Sequence, residues 1–188
     1  TGAMGNDQLF NIEFIIGSSL ADQLVGDAND NTITAGAGDD SVFGGFGNDL
    51  IVGGDGNDSI DGGDDSDTVD YSSASGSVTV DLGQLTATGA VNVENILGSS
   101  AADLLTGNGG ANTLRGGGEN DVLDGGLGDD IIDGGTETDT ITYVNASGSV
   151  TVHLSQSTAT GAMGNDQLTN IENIIGSSLD DVLTGSSA

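Results

Sequence analysis

GGFGNDLIV (44–52) is followed at once by GGDGNDSID (53–61), so the same nine-residue pattern occurs twice in succession. Positions 1, 2 and 4 are Gly in both copies, position 6 is Asp and position 8 is Ile. Fixed-period repetition indicates a protein in which each unit stacks on the next. Related frames run in tandem over 17–70 and 98–142, and another frame opens at 176.

Position 8 is the apolar position of the repeat. It is Leu, Ile or Val in all twelve frames: Leu24, Ile33, Val42, Ile51, Ile60, Val69, Leu105, Leu114, Leu123, Ile132, Ile141 and Leu183. A single apolar residue between outward-facing neighbours predicts a very short strand with one inward side chain. Such a strand must stack on copies of itself, about 4.8 Å apart, to be stable. The sequence therefore predicts an all-β solenoid.

The charge of the chain is extreme. Its 188 residues include 30 Asp and Glu against one basic side chain, Arg115, which gives a net charge of −29, and only 3% are aromatic. Repulsion at this density opposes compaction unless a counter-charge is bound. The sign excludes nucleic acid and anionic membrane surfaces as partners, and no segment is long and apolar enough for membrane insertion. Without Cys there is no disulfide and no thiolate metal site. Divalent cations are the indicated partners.

Position 6 and the glycines indicate where those cations bind. Gly suits backbone with positive φ and leaves carbonyls unobstructed, and carbonyl and carboxylate oxygens are the ligands that Ca²⁺ prefers. The candidate metal ligands at position 6 are Asp22, Asp40, Asp49, Asp58, Asp67, Asp103, Asp121, Asp130, Asp139, Asp181, Asn31 and Asn112. The candidate glycines at positions 2 and 4 are Gly36, Gly38, Gly45, Gly47, Gly54, Gly56, Gly63, Gly117, Gly126, Gly128 and Gly135.

The pattern GGxGxDxUx, in which U is a large aliphatic residue, resembles the nonapeptide of RTX proteins. The resemblance implies a right-handed parallel β-roll, or β-helix solenoid, with two nonapeptides per coil and Ca²⁺ between turns on the same side. It pairs each frame with the second frame after it, so that Asp49 is joined with Asp67 and Asp121 with Asp139. Glycine carbonyls would complete the sites, and about six to ten ions of six to eight oxygen ligands each are expected.

Several frames depart from this pattern. The frames that open with GSS lack Gly at positions 2 and 4, so weaker or empty sites are expected there. The neutral Asn at position 6 of 26–34 and 107–115 predicts weaker binding than Asp. Three frames carry an acid at position 4, which predicts a change in backbone curvature: Asp65, Glu119 and Glu137.

A second period, of about 80 residues, joins the frames into units. TGAMGNDQLFNIEFIIGSSL (1–20) returns as TGAMGNDQLTNIENIIGSSL (160–179). We interpret the chain as part of a longer tandem array whose neighbouring units are its partners. The predicted organisation is the tail of one unit (1–16), a first calcium-binding block (17–70), a connecting strand segment (71–97), a second calcium-binding block (98–142), a second connecting strand segment (143–175) and the start of a further unit (176–188).

The connecting segments are predicted to form wider, metal-poor coils of the same solenoid. Alternating apolar residues such as Val150 and Val152 indicate half-buried strands. Tyr71 and Tyr143 follow the last frame of each block, and we expect them to cover the end of the metal-rich core. GAMGNDQLT at 2–10 and 161–169 also matches the nonapeptide at most positions, which makes Asp7 and Asp166 further candidate ligands.

The predicted function is that of a calcium-binding module of a larger secreted protein, located outside the cell or at its surface. The resemblance implies type I secretion in an unfolded state, followed by calcium-triggered folding into a structural scaffold. Two alternatives are a repeat region of an extracellular adhesin, with an unknown surface or glycan ligand, and an accessory module of a secreted enzyme. The only His, His153, has no equivalent in the matching segment, where Asp81 stands. No catalytic residues are therefore predicted, and the chain is not expected to be an enzyme.

Overall fold

The computed structural model describes residues 12–81, 90–91 and 93–186 as an all-β fold. Its strands are short, as expected of a repeat with one inward residue per frame. In chain order the described strands are β1 (Phe14–Ile16), β2 (Gln23–Val25), β3 (Thr32–Ala37), β4 (Ser41–Gly45), β5 (Leu50–Asp55), β6 (Ser59–Gly63), β7 (Thr68–Asp70), β8 (Thr79–Asp81), β9 (Ala90–Val91), β10 (Asn95–Leu97), β11 (Leu104–Thr106), β12 (Thr113–Gly117), β13 (Val122–Asp124), β14 (Ile131–Gly135), β15 (Thr140–Thr142), β16 (Val150–His153), β17 (Thr158–Gly161), β18 (Gly164–Thr169), β19 (Asn173–Ile175) and β20 (Val182–Thr184). A 3₁₀ turn covers Leu154–Gln156.

The strands of successive frames alternate between sheets. A long sheet has the order β1-β3-β5-β7-β10-β12-β14-β18-β17-β16-β20. An upstream short sheet has the order β2-β4-β6-β9, and a downstream short sheet has the order β19-β15-β13-β11-β8. Within the blocks each strand pairs in parallel with the strand two frames away, so Ile33 lies opposite Ile51 and Leu123 opposite Ile141. Two nonapeptides therefore make one coil, which confirms the predicted parallel β-roll.

The position 8 side chains form the core. In ten of the twelve frames they are buried, and Ile33, Ile51, Leu114 and Ile132 have no exposed surface. They belong to one apolar cluster that draws on the long sheet and both short sheets. Leu183 in the last described strand is 44% exposed, because no following coil of the described chain covers it. Stacking along the solenoid, and not the single coil, thus provides the burial.

The connecting segments continue the stack and add strands of their own. β9 pairs in parallel with β6, and β10 pairs with β7 on one side and β12 on the other. The segment 71–97 therefore carries the long sheet from the first block into the second. The segment 143–175 differs from the predicted wide coil, because β16, β17 and β18 pair antiparallel before β18 joins β14 in parallel.

The two blocks end on different sheets. The first block has six frames and ends with β7 in the long sheet, whereas the second has five and ends with β15 in the downstream short sheet. The equivalent strands β10 and β19, which follow these ends, consequently lie in different sheets. The frame that opens with GSS after each connecting segment differs in the same way. After the first block its strand, β11, lies in the downstream short sheet, and after the second block its strand, β20, lies in the long sheet.

The glycine turns have the predicted backbone conformation. All eleven candidate glycines at positions 2 and 4 have positive φ, from 84° at Gly126 to 139° at Gly56. The acidic residues at position 4, Asp65, Glu119 and Glu137, also have positive φ, at 82°, 65° and 76°, below the 97° to 139° of the glycines at that position, and the change of curvature expected there stays a prediction. An L-residue in this region costs about 1–2 kcal/mol. Packing between coils thus imposes the turn on residues that disfavour it.

We predict that Gly54→Ala destabilises the roll by at least about 2 kcal/mol, from positive-φ strain and crowding. Gly54 has φ of 94°, and an added Cβ would overlap the Gly36 carbonyl oxygen of the neighbouring coil. Urea unfolding in saturating Ca²⁺ measures the effect. Gly109→Ala is the matched control, since a Cβ there meets nothing within 4 Å. Equal stability of the two variants would contradict this account of the turn.

Candidate metal centre

The position 6 carboxylates form a ladder that links the coils. In seven of them one oxygen accepts a hydrogen bond from the backbone N–H of the position 6 residue in the preceding coil. The Asp49 N–H donates to Asp67 Oδ1 at 2.8 Å, the Asp103 N–H to Asp121 Oδ1 at 2.8 Å and the Asn112 N–H to Asp130 Oδ1 at 2.9 Å. The ladder places one carboxylate per coil along each side of the core.

The second oxygen of these carboxylates is buried without a donor. Within the described ranges, seven Asp Oδ2 atoms are buried and have no hydrogen-bond partner: those of Asp40, Asp49, Asp58, Asp67, Asp121, Asp130 and Asp139. Each of these residues is at most 6% exposed. Buried polar groups in proteins nearly always have a partner, and an unpaired buried charge is costly. A row of such oxygens is therefore a candidate set of cation ligands.

Carbonyl oxygens of the next coil lie beside these orphan oxygens. A Cβ added to Gly44 would overlap both Asp49 Oδ2 and the Gly62 carbonyl oxygen, and one added to Gly116 would overlap Asp121 Oδ2 and the Gly134 carbonyl oxygen. Glycine at position 1 thus leaves open a space between a carboxylate and a carbonyl. Among the described residues no three Asp, Glu, His or Cys side chains lie together in a metal-binding group. The adjacent carbonyls are further oxygen ligands available beside each carboxylate. Such mixed oxygen sets suit Ca²⁺.

The electrostatics of the ladder are unfavourable without a counter-ion. Burial is the main cause that raises the pKa of Asp58, Asp67 and Asp121 to about 6 and that of Asp130 to about 7, and nearby carboxylates add to the effect. Burial also raises the pKa of Asp49 and Asp139. These groups resist ionisation in the protein alone, and a divalent cation would favour the charged form.

The three frames that open with GSS use their Asp differently. The Ser99 N–H donates to Asp103 Oδ2 at 2.6 Å and the Ser99 hydroxyl to Asp103 Oδ1 at 2.9 Å, while the Val78 N–H also donates to Oδ1. Ser18 and Ser177 likewise donate from the backbone to Oδ2 of the Asp four residues later, Asp22 and Asp181. Hydrogen bonds, first from the Val150 N–H, lower the pKa of Asp181. Both carboxylate oxygens of Asp103 and Asp181 thus have donors within the protein.

The two Asn frames are also satisfied internally. Asn31 Oδ1 accepts from the Asp27 N–H at 2.8 Å and its Nδ2 donates to the Ile12 carbonyl at 3.2 Å. Asn112 repeats the arrangement with the Asn108 N–H and the Glu94 carbonyl. The structure therefore separates the twelve predicted position 6 ligands into two groups. Seven have an orphan oxygen, and five have side chains that accept hydrogen bonds from the backbone within the first two frames of a block.

The tyrosines after each block seal the end of the ladder, as predicted. The Tyr71 ring lies against Gly53, and Tyr143 is 2% exposed. The Tyr143 hydroxyl donates to Asp166 Oδ2 at 2.8 Å, and the Asp130 N–H donates to Asp166 Oδ1 at 3.2 Å. Asp166 thus occupies a ladder position with both oxygens bonded, whereas Asp7 lies outside the described residues.

A second ladder at position 5 was missed by the sequence reasoning. The Asn48 N–H donates to Asp30 Oδ1 at 2.8 Å, the Asn57 N–H to Asp39 Oδ1 at 3.0 Å and the Thr138 N–H to Asn120 Oδ1 at 3.0 Å. The frequent Asn or Asp at position 5 was the available signal. This exposed ladder ties neighbouring turns together beside the candidate sites.

Two glutamates of the connecting segments were also missed. The Asp67 N–H donates to Glu94 Oε2 at 2.8 Å and the Asp139 N–H to Glu172 Oε2 at 2.9 Å. Each Glu thus takes the ladder position that Asp fills elsewhere. The recurrence of Glu in NVENIL and NIENII was the signal for them.

The sequence profile of the RTX calcium-binding nonapeptide repeat matches the chain in four copies, over residues 16–51, 43–75, 92–123 and 106–141. The chain belongs to this RTX family. The matches cover more than half of its length and include both blocks of nonapeptides. A comparison with curated proteins gives no significant match. The RTX assignment identifies the module as a calcium-binding β-roll, and the orphan oxygens and adjacent carbonyls are chemically suited to that ion.

The RTX roll should respond to pH in opposite directions with and without calcium. A raised pKa means that the folded chain binds more protons than the unfolded chain between pH of about 4 and 7, so this stabilisation is present at low pH and lost as pH rises through that range. In chelator, β-structure measured by circular dichroism should therefore increase on acidification from pH 8 to pH 5. In Ca²⁺, acidification should weaken binding, because the ligands must be ionised. The same pH trend in both media would contradict the prediction.

Asp121→Asn and Asp103→Asn should separate the two groups of RTX position 6 residues. The first substitution would keep the ladder acceptor but replace the orphan oxygen with an NH₂ group, so we expect one ion fewer per chain by equilibrium dialysis. Asp103→Asn should leave the ion count unchanged, because both oxygens already accept hydrogen bonds, and should cost only about 1 kcal/mol of stability. Equal loss of calcium from both variants would contradict the division.

Proposed function

We propose that this chain is a calcium-dependent folding module of a larger secreted protein, and that its seven orphan carboxylate oxygens are calcium ligands. The observation that carries the proposal is the buried Asp Oδ2 row, in which each oxygen lacks a donor while the other oxygen of the same carboxylate is bonded. Asp40, Asp49, Asp58, Asp67, Asp121, Asp130 and Asp139 supply this row. Carbonyls at position 1 of the adjacent coils would complete the sites.

Electrostatics make the proposed folding conditional on the ion. Two carboxylates about 5 Å apart repel by roughly 0.8 kcal/mol in water and by more within a protein. A site with a Kd of about 10⁻⁴ M adds roughly 1.4 kcal/mol to the stability at millimolar Ca²⁺ and almost nothing at submicromolar Ca²⁺. Because the sites lie on successive coils of one core, these contributions accumulate. The module would stay unfolded in cytosol and fold in a calcium-rich exterior.

Several features support a location outside the cell. RTX repeats are typical of secreted proteins, and calcium near millimolar concentration is the condition that the ladder needs. We infer that the chain is exported unfolded, with secretion and folding coupled through calcium.

We assign the folded module a structural role and no catalytic one. Its carboxylates recur with the repeat and are engaged in ladders, which supports cohesion between coils as their task. The parallel stacking of the coils would make a stiff spacer in the parent protein. Calcium-bound coils would also provide a template on which neighbouring units of the array can stack.

Circular dichroism of the chain at pH 7.5 tests the proposal. In EDTA we expect little β-structure, and addition of millimolar Ca²⁺ should produce it in a cooperative transition. Mg²⁺ at the same concentration is the control, since it demands octahedral geometry and gives up water reluctantly, and should be much less effective. A full β spectrum in EDTA would contradict calcium-dependent folding.

A further inference from the structure

Glu94 and Glu172 extend the carboxylate ladder beyond the last nonapeptide of each block. The backbone N–H groups of Asp67 and Asp139 donate to their Oε2 atoms at 2.8 and 2.9 Å, as N–H groups elsewhere donate to Asp Oδ1. The Asn95 and Asn173 N–H groups return hydrogen bonds to the Asp67 and Asp139 carbonyls at 3.0 and 2.9 Å. The two junctions, where each block meets the connecting segment after it, therefore have the same hydrogen-bond geometry.

The last Asp of each block donates its backbone N–H to this Glu and, within the described chain, has one carboxylate oxygen without a partner. Asp67 and Asp139 are completely buried, and the Oδ2 atom of each has no hydrogen-bond partner among the described residues. Burial is the main cause that raises the pKa of Asp139, and among the neighbouring charges that raise it Glu172 acts most strongly. The charge of Glu94 acts on Asp67 in the same direction. A bound cation would stabilise a buried carboxylate oxygen that has no donor and a second carboxylate near it.

At the second junction a carbonyl oxygen of the connecting segment lies where the sites within a block have the carbonyl of a position 1 residue. A Cβ added to Gly134 would overlap both Asp139 Oδ2 and the Asn170 carbonyl oxygen. This is the arrangement at Gly44, where Asp49 Oδ2 and the Gly62 carbonyl take those places. Asn170 thus substitutes for the position 1 residue of a missing frame, and its φ of 53° shows a left-handed turn there.

The arrangement recurs although the connections differ in length. The Glu follows its partner Asp by 27 residues at the first junction and by 33 residues at the second. The first junction lies in the long sheet and the second in the downstream short sheet. The same carboxylate pair is therefore kept through a change of both loop length and sheet.

We propose that the Ca²⁺ at the last Asp of each block is held jointly with the connecting segment, by Asp67 and Glu94 after the first block and by Asp139, Glu172 and the Asn170 carbonyl after the second. This inference rests on the proposed calcium sites of the blocks and extends them into segments that lack the nonapeptide. The junction ions attach the connecting segment to the block before it. Calcium thus controls the continuity between blocks as well as the fold of each block.

The test compares Glu94→Gln/Glu172→Gln with the unmodified chain by equilibrium dialysis in saturating Ca²⁺. Gln keeps an oxygen for the Asp N–H and removes the charge, so the ladder bond is preserved. We expect the double variant to bind two ions fewer per chain, and each single variant to bind one fewer. Glu119→Gln is the matched control, because Glu119 is exposed and stands at position 4 of its frame, outside the carboxylate ladder; the ion count of this variant should not change.

An unchanged ion count in the double variant would overturn the proposal and leave the block sites intact. No calcium bound by the unmodified chain would instead contradict the proposed function itself. A crystal structure of the unmodified, calcium-loaded chain decides the matter if the double variant does not fold. Calcium within about 2.6 Å of Asp67 Oδ2 and a Glu94 oxygen supports the proposal, and a junction without an ion overturns it.

Discussion

Coil after coil, an Asp at position 6 enters the interior with one oxygen bonded to the neighbouring coil and the other without a donor. The first oxygen fixes the register of the stack, since it requires the next turn to lie directly above. The second creates a charge that the protein does not neutralise. Glycine at position 1 leaves room for a backbone carbonyl beside that oxygen, whereas glycine at positions 2 and 4 allows the positive φ and the close approach of successive coils. The chain thus combines a β-roll with an incomplete electrostatic arrangement that an external ion completes.

The blocks have distinct beginnings and ends. The first two frames replace the glycine turn with side-chain hydrogen bonds, from Ser99 to Asp103 and from the Asn108 N–H to Asn112. The last two frames are covered by a tyrosine on one side and by a glutamate on the other, as Tyr71 and Glu94 illustrate. Within a block each ladder Asp has an oxygen without a donor in the described chain, whereas at its start the position 6 side chains are hydrogen-bonded within the protein. Such capping is a recurrent need of repeat proteins, whose terminal units lack one neighbour.

The nonapeptide period was sufficient to predict the strands, the inward position 8 side chains and the positive-φ glycines, because each is a local consequence of the repeat. It could not separate Asp103 from Asp121, since both stand at position 6 and only the hydrogen bonds from Ser99 and Val78 distinguish them. Glu94 escaped prediction because its role depends on a pairing across a connecting segment with Asp67. The positive φ of Glu137 could not be read from its residue type, because stacking overrides the local preference of the residue. The antiparallel pairs of β16, β17 and β18 likewise depend on contacts that no period expresses.

The unequal number of frames in the two blocks has a geometric consequence for anything attached downstream. Six frames return the chain to the side of the solenoid from which it started, whereas five leave it on the opposite side, as the different sheets of β10 and β19 record. Insertion or deletion of a single nonapeptide would therefore rotate all later elements by half a turn about the long axis. An even change would lengthen the rod without altering that orientation. Whether a block has an odd or an even number of nonapeptides therefore determines which way a downstream domain faces, and the total number determines how far along the solenoid it lies.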